Sequence, residues 1–197
     1  MGISEAMTIF SNHDIIHAIQ FAEEAHRDQK RKYSNEPYLI HLLSVAKMVS
    51  CATLDKALEL QREEIIIAAI LHDVVEDTNV TSEDIGLAFG SSICRIVQEL
   101  TDPPLVAGNR EKRKGLSRER LRLSCHATKI IKCADIIDNV HSIVACDPKF
   151  AKVFLEEIGM LIPLLETPRS SLHRELVELY ATSIPRTTDA AEGKNVR

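Results

Sequence analysis

Apolar residues recur at helical spacing along most of the chain. In "NHDIIHAIQFAEEAHRDQKRK", residues 12–32, the positions Ile15, Ile16, Ile19, Phe21, Ala22 and Ala25 gather near one face. Asn12 is placed to cap the start. Pro37 suits the opening of a second helix from Tyr38 to about Ser50, with Leu39, Ile40, Leu43, Val45, Ala46 and Val49 as its stripe. A third helix is expected over about Leu54 to Gln61, and a fourth from Glu63 to about Val75. "TSEDIGLAFG" predicts a compact helix, capped by Thr81 or Ser82 and closed by Gly90. "SSICRIVQELTD" predicts another, capped by Ser91 or Ser92.

Residues 102–116, "DPPLVAGNREKRKGL", lose the pattern and read as one long loop, either merely solvated or facing phosphate through its basic residues. Helical pattern returns from Ser117 to about Ala145, with a break near Ser124 to Ala127. Asp147-Pro148 starts a helix that Pro163 disturbs, and "SSLHRELVELYATSI" forms a last one capped by Ser170 or Ser171. Residues 1–185 are expected to form one all-α domain, and 186–197 a disordered polar tail.

Composition narrows the class. A 45% hydrophobic chain without Trp, with seven Gly and seven Pro, favours packed helices over a many-stranded sandwich. The net charge of −5 argues against a nucleic-acid partner. Five cysteines with no C-x-x-C pair point to reduced thiols, not to a cysteine zinc site. The first residues lack the features of a secretory signal, and no run approaches the roughly 18 apolar residues of a membrane span. A cytoplasmic protein without membrane contact is expected, and a homodimer is compatible with this reading.

One apolar run carries chemistry. "EIIIAAILHDVVEDT" places His72, Asp73, Glu76 and Asp77 within a segment otherwise fit for the core. On a continuous helix they fall near 0, 100, 40 and 140 degrees, roughly one arc. Carboxylates on one buried arc repel each other and need a positive partner. A divalent metal would serve, and so would arginine or lysine side chains. Two further metal-capable residues stand alone on apolar helices: His41 in "PYLIHLLSVA" and Asp135 in "IIKCADIIDNV". With His72 and Asp73 they make two imidazoles and two carboxylates, a set that suits Mn²⁺ or Fe²⁺ better than Ca²⁺.

These segments, in this order, resemble the HD phosphohydrolase superfamily, and within it the hydrolase domains of the RelA/SpoT type and their small metazoan SpoT-homologue relatives. "AHRDQKRKYSNEPYLIHLLSVA" is similar to the family's first motif, "AAILHDVVEDT" followed by "FGSSICRIVQELTD" to its second, and "TKIIKCADIIDNV" to its third. The match runs from about Ile15 to Leu165.

The resemblance implies an HD-type bundle of about 8–10 helices and one bound metal ion, usually Mn²⁺, held by His41, His72, Asp73 and Asp135. It gives Glu76 and Asp77 the task of orienting and deprotonating the attacking water. It places Arg31 and Lys32 beside a purine and Asn139 near a ribose. The implied activity is removal of the 3′-pyrophosphate from (p)ppGpp, with another nucleotide as alternative: an adenosine alarmone (p)ppApp or a dinucleotide cofactor phosphate. A third reading is a non-catalytic nucleotide-binding module. The chain departs from the family pattern where Ile136 replaces a basic residue, Asp138 replaces His or Tyr, and Leu42 follows His41 in place of Pro. Losing a cation and gaining an anion there is expected to alter how substrate is read.

Overall fold

The computed structural model describes residues 12–167 and 170–192; the last five residues of the expected polar tail, 193–197, lie outside them. The described residues form helices joined by short turns: α1 His13–Ala25, α2 Leu39–Cys51, α3 Lys56–Glu59, α4 Arg62–Leu71, α5 Val74–Asp77, α6 Ser82–Phe89, α7 Ser91–Leu100, α8 Arg110–Leu123, α9 His126–Cys146, α10 Pro148–Leu161 and α11 Ser171–Glu192. Two 3₁₀ turns, Leu105–Ala107 and Ile162–Leu164, interrupt the connections. Among the described residues there is no strand, only the isolated bridges Lys30–Pro37 and Leu54–Ser170. The all-α expectation holds. Among those residues, no helix is long and apolar enough to cross a membrane.

Two helices form the centre. Every residue of α4 from Ile65 to Leu71 is buried, so it is enclosed on all sides by α1, α2 and α7. Helix α9 buries eleven residues against α2, α7, α10 and α11. Each fully buried Ile or Leu in this core stabilises it by about 1.5–3 kcal/mol over the exposed state.

The relative placement of α2 and α4 is pinned by one side chain. Arg62, at the start of α4, donates to the carbonyls of Val49, Ser50 and Ala52 at the end of α2, at 2.8–2.9 Å. Those carbonyls belong to the set that a helix end leaves without an intrahelical partner. Glu59 holds the same guanidinium in a two-pronged contact at 2.7 and 2.6 Å.

Local signals act as expected at several ends. Asn12 accepts from Asp14 N at 2.8 Å, and Thr81 with Asp84 forms a reciprocal capping box. Gly90 adopts a φ of 87°, a conformation open to glycine. Pro163 falls in the 3₁₀ turn after α10, as its missing N–H requires. Ser170 Oγ accepts from Leu172 N at 3.2 Å at the start of α11.

Four expectations are corrected. The fourth helix stops at Leu71, and the backbone leaves helical geometry at Asp73, with φ −101° and ψ −4°. Asp73 O then accepts from Glu76 N and Asp77 N, which starts α5 anew. The long loop at 102–116 is mostly structured: Asn109 accepts from Lys112 N at 2.9 Å and begins α8. Helix α7 is preceded by Gly90, with no serine side-chain cap; Ser92 donates instead to Glu64 at 2.8 Å. Helix α11 continues through Pro185 to Glu192.

Candidate metal centre

Three elements bring the polar residues together: α2 carries His41, the α4–α5 junction carries His72 and Asp73, and α9 carries Asp135. Ligand atoms of His41, His72 and Asp73 lie within 4.8 Å of one another. Asp135 Oδ1 stands 3.4 Å from His41 Nε2 and 3.9 Å from His72 Nε2. Asp73 Oδ2 is 3.7 Å from His41 Nε2 and 3.0 Å from His72 Nε2. The two imidazoles meet edge to face, centroids 5.2 Å apart.

The donor set fits a divalent cation. His41 and His72 are 1% and 2% exposed, and among the described residues the Nε2 of each is buried without a hydrogen-bond partner. A buried nitrogen left in that state costs free energy unless something electron-poor faces it. Each ring is fixed from behind. His72 Nδ1 donates to Ala69 O at 2.8 Å, and His41 Nδ1 lies 2.7 Å from Asp138 Oδ2. With the proton held at Nδ1, both Nε2 lone pairs point at the cluster.

The carboxylates are braced too. Asp73 Oδ2 accepts from the Tyr38 hydroxyl at 2.6 Å, and the Tyr38 ring stacks on His26. Asp135 accepts from Lys132 Nζ at 2.8 Å and from Asn139 Nδ2 at 2.6 Å. Burial opposes a charged imidazole at both histidines, yet the surrounding carboxylates outweigh it and raise both pKa values. Burial likewise works against ionised Asp135, but Lys132 and the two imidazoles hold its pKa well below the usual range. The cluster therefore attracts positive charge in whatever form is offered.

A cavity of about 220 Å³ opens onto this cluster. Asp73, Glu76, Asp77 and Asp135 share its wall with Lys114, Arg118 and Lys132, while Phe154, Ile158 and Leu161 supply an apolar side. That volume is below the roughly 300 Å³ at which small-molecule sites begin, so the cavity holds part of a molecule of that size and not the whole. Glu76 keeps contact with solvent, yet the enclosing walls and the neighbouring Asp102 and Asp73 carboxylates raise its pKa. Its Oε2 accepts from Asp102 N at 2.8 Å. Asp77 accepts from Gln29 Nε2 at 2.8 Å.

Of the residues expected at the substrate, Asn139 lines the cavity, whereas Arg31 and Lys32 do not. Arg31 is turned to Asp138 and to Ser142 Oγ, and Lys32 to Tyr33 and Asp147 at the surface. Sequence reasoning gave no role to Tyr38, Arg118 or Phe154, and included Lys114 only as one basic residue of a segment that faces either solvent or phosphate. Their periodicity is that of ordinary helix positions; the proline and tyrosine before Leu39 were the available signal for Tyr38.

Known proteins resemble this chain over most of its length. A sequence profile described as an HD domain matches residues 18–159. The guanosine-3′,5′-bis(diphosphate) 3′-pyrophosphohydrolase MESH1 of Drosophila melanogaster is 34% identical over 146 residues, 72% of this chain and 76% of that protein. The protein of the same name in Danio rerio is 33% identical over 172 residues, 84% of this chain and 92% of its own. A solved metazoan ortholog of SpoT, which hydrolyses ppGpp, superimposes with a TM-score of 0.74 at 27% identity, covering 88% of this chain and 97% of that one. On the profile match and these identities, the chain belongs to the HD-domain family.

Proposed function

We propose that the chain is a metal-dependent hydrolase that removes the 3′-pyrophosphate from guanosine 3′,5′-bis(diphosphate) and related alarmone nucleotides. The observation that carries this reading is the pair of buried Nε2 atoms, without a hydrogen-bond partner among the described residues, converging with Asp73 and Asp135, which line a cavity together with Lys114, Arg118 and Lys132. The activity borne in the names of the relatives supports the choice of substrate.

His41, His72, Asp73 and Asp135 would hold one Mn²⁺ ion. Such an ion supplies positive charge that makes a water more acidic and polarises phosphoryl oxygens. Around it, this chain's own residues do the rest. Arg118 would meet the phosphates and offset their charge, joined by Lys114 where it exchanges its Asp102 contact for them. Glu76, whose pKa is raised, and Asp77 stand at the cavity wall to orient the attacking water and take its proton. The water oxygen bonds to the phosphorus attached to O3′, the bond from phosphorus to O3′ breaks, and O3′ takes up a proton. Pyrophosphate and a nucleotide with a free 3′-hydroxyl result. Asn139, hydrogen-bonded to Asp135 and lining the cavity, would meet the ribose.

A second reading is hydrolysis of another nucleotide, such as an adenosine alarmone or a dinucleotide cofactor phosphate. It is favoured by the engagement of Arg31 with Asp138, which leaves that guanidinium away from the cavity. The test is product analysis with Mn²⁺ and a panel of guanosine and adenosine nucleotides. Pyrophosphate from ppGpp at the highest kcat/KM is the expected result. Preferred orthophosphate release from other nucleotides establishes the second reading, and binding without turnover removes both.

A further inference from the structure

We propose that Asp138, clamped by Arg31, is a positioning residue that sets the tautomer and orientation of His41, so that Arg31 serves the metal centre and not the nucleotide base. The inference rests on the reading of His41 as a metal ligand.

The His41 ring is held between two carboxylates of α9. Asp135 Oδ1 lies 3.4 Å from Nε2, and Asp138 Oδ2 lies 2.7 Å from Nδ1. An ionised carboxylate only accepts, so the Asp138 contact keeps a proton on Nδ1, and it is Nε2 that would turn its lone pair to a cation held beside Asp135. His72 receives the same instruction from a helix carbonyl, Ala69 O. A carboxylate does more than a carbonyl, because its charge raises the basicity of the imidazole as a ligand.

That extra charge has to be balanced. Side chains of Arg31 and Asp138 are 14% and 16% exposed, and the two form an ion pair. Desolvating such a pair is costly, and it is weak evidence for stability alone. Here the pair lies directly behind a buried imidazole. The Arg31 guanidinium also donates to Ser142 Oγ at 3.3 Å, one turn beyond Asp138 on the same helix. The loop before α2 holds Arg31 in place: Arg31 N donates to Glu36 O at 2.9 Å, and Asn35 N to Arg31 O at 3.0 Å. Asn35 reaches that contact through a left-handed φ of 58°. A side chain committed at both ends has little freedom to swing to a purine.

The test is Mn²⁺ titration of the metal-free protein by calorimetry, with electron paramagnetic resonance of the unbound ion as a second readout. Asp138→Ala is expected to weaken Mn²⁺ binding by about 10- to 100-fold. Asp138→Asn keeps the shape and an acceptor oxygen, so it should fold as wild type and lose less affinity than Asp138→Ala. It decides the matter if Asp138→Ala fails to fold. Arg31→Ala is expected to weaken Mn²⁺ binding while KM for ppGpp at saturating Mn²⁺ stays near wild type. Wild-type Mn²⁺ affinity in both Asp138 variants, alongside loss in His41→Ala, overturns the proposal and leaves His41 as a ligand. Wild-type affinity in His41→Ala overturns the ligand reading and this inference with it. A raised KM with unchanged Mn²⁺ affinity in Arg31→Ala returns Arg31 to the substrate.

Discussion

Glu76 and Asp73 are three residues apart in sequence and face one cavity, yet their surroundings assign them different work. Asp73 accepts from Tyr38 and lies beside both imidazoles, in the position of a ligand. Glu76 accepts only a backbone N–H and stays at the wall, with its pKa raised. Glu76→Gln should therefore keep Mn²⁺ affinity and lower kcat by about 10²- to 10⁴-fold. Calorimetry and initial rates on one preparation check both halves, and loss of the metal in this variant would sink the assignment. Residue type made most of this cluster legible in the sequence. An imidazole or carboxylate inside an apolar helix needs a reason, and His41, His72, Asp73 and Asp135 each stand in such a run. Asp138 was legible only as a misfit. Its partner Arg31 lies 107 residues away in the chain, and no local pattern reveals a pairing of that span.

At the scale of elements, periodicity served where one face is buried and failed where it is not. Helix α4 reads as continuous with α5 because apolar residues run on through both, but the backbone departs from the helix at Asp73 between them. Helix α8 has no apolar stripe; among its 14 residues only Ser117 and Leu121 are buried. Its Asn109 cap was the usable signal, hidden among prolines and glycines. What ties α8 to the site is charge. Asp102 accepts from Lys114 Nζ and from Ser117 Oγ, each at 2.6 Å. Burial disfavours the Asp102 carboxylate, but Lys114 and Ser117 outweigh it and lower its pKa. A lowered carboxyl pKa adds stability above the unfolded value of about 3.9, and that stability is lost as pH falls through the folded value. Asp102→Asn should thus destabilise the protein by about 1–2 kcal/mol at pH 7. The difference from wild type should vanish in acid, below both pKa values. Denaturant melts at pH 7 and in acid measure it; an equal deficit at both would show that the carboxylate charge is not responsible.

At the scale of the whole molecule, the cluster joins the first, middle and last thirds of the fold through α2, the α4–α5 junction and α9. The apolar core already packs these elements, and the charged groups inside it are the part that packing alone does not satisfy. Two unpartnered Nε2 atoms and the carboxylates around them store an unmet demand for positive charge. An ion that binds the folded chain and not the unfolded one stabilises it by mass action, about 2.7 kcal/mol at a free concentration 100 times Kd. For a protein of this length that corresponds to a rise in Tm of about 5–11 °C. Mn²⁺ should give that rise in wild type, a chelator should reverse it, and Asp73→Ala should abolish it while keeping a cooperative transition. Mg²⁺ should give a smaller shift, since imidazole suits a transition metal better than a hard oxygen-seeking ion. Calorimetric scans across Mn²⁺ concentrations measure these shifts. A Tm indifferent to the metal would mean that the three elements already meet their demand without it, and that the buried imidazoles are a feature of the core.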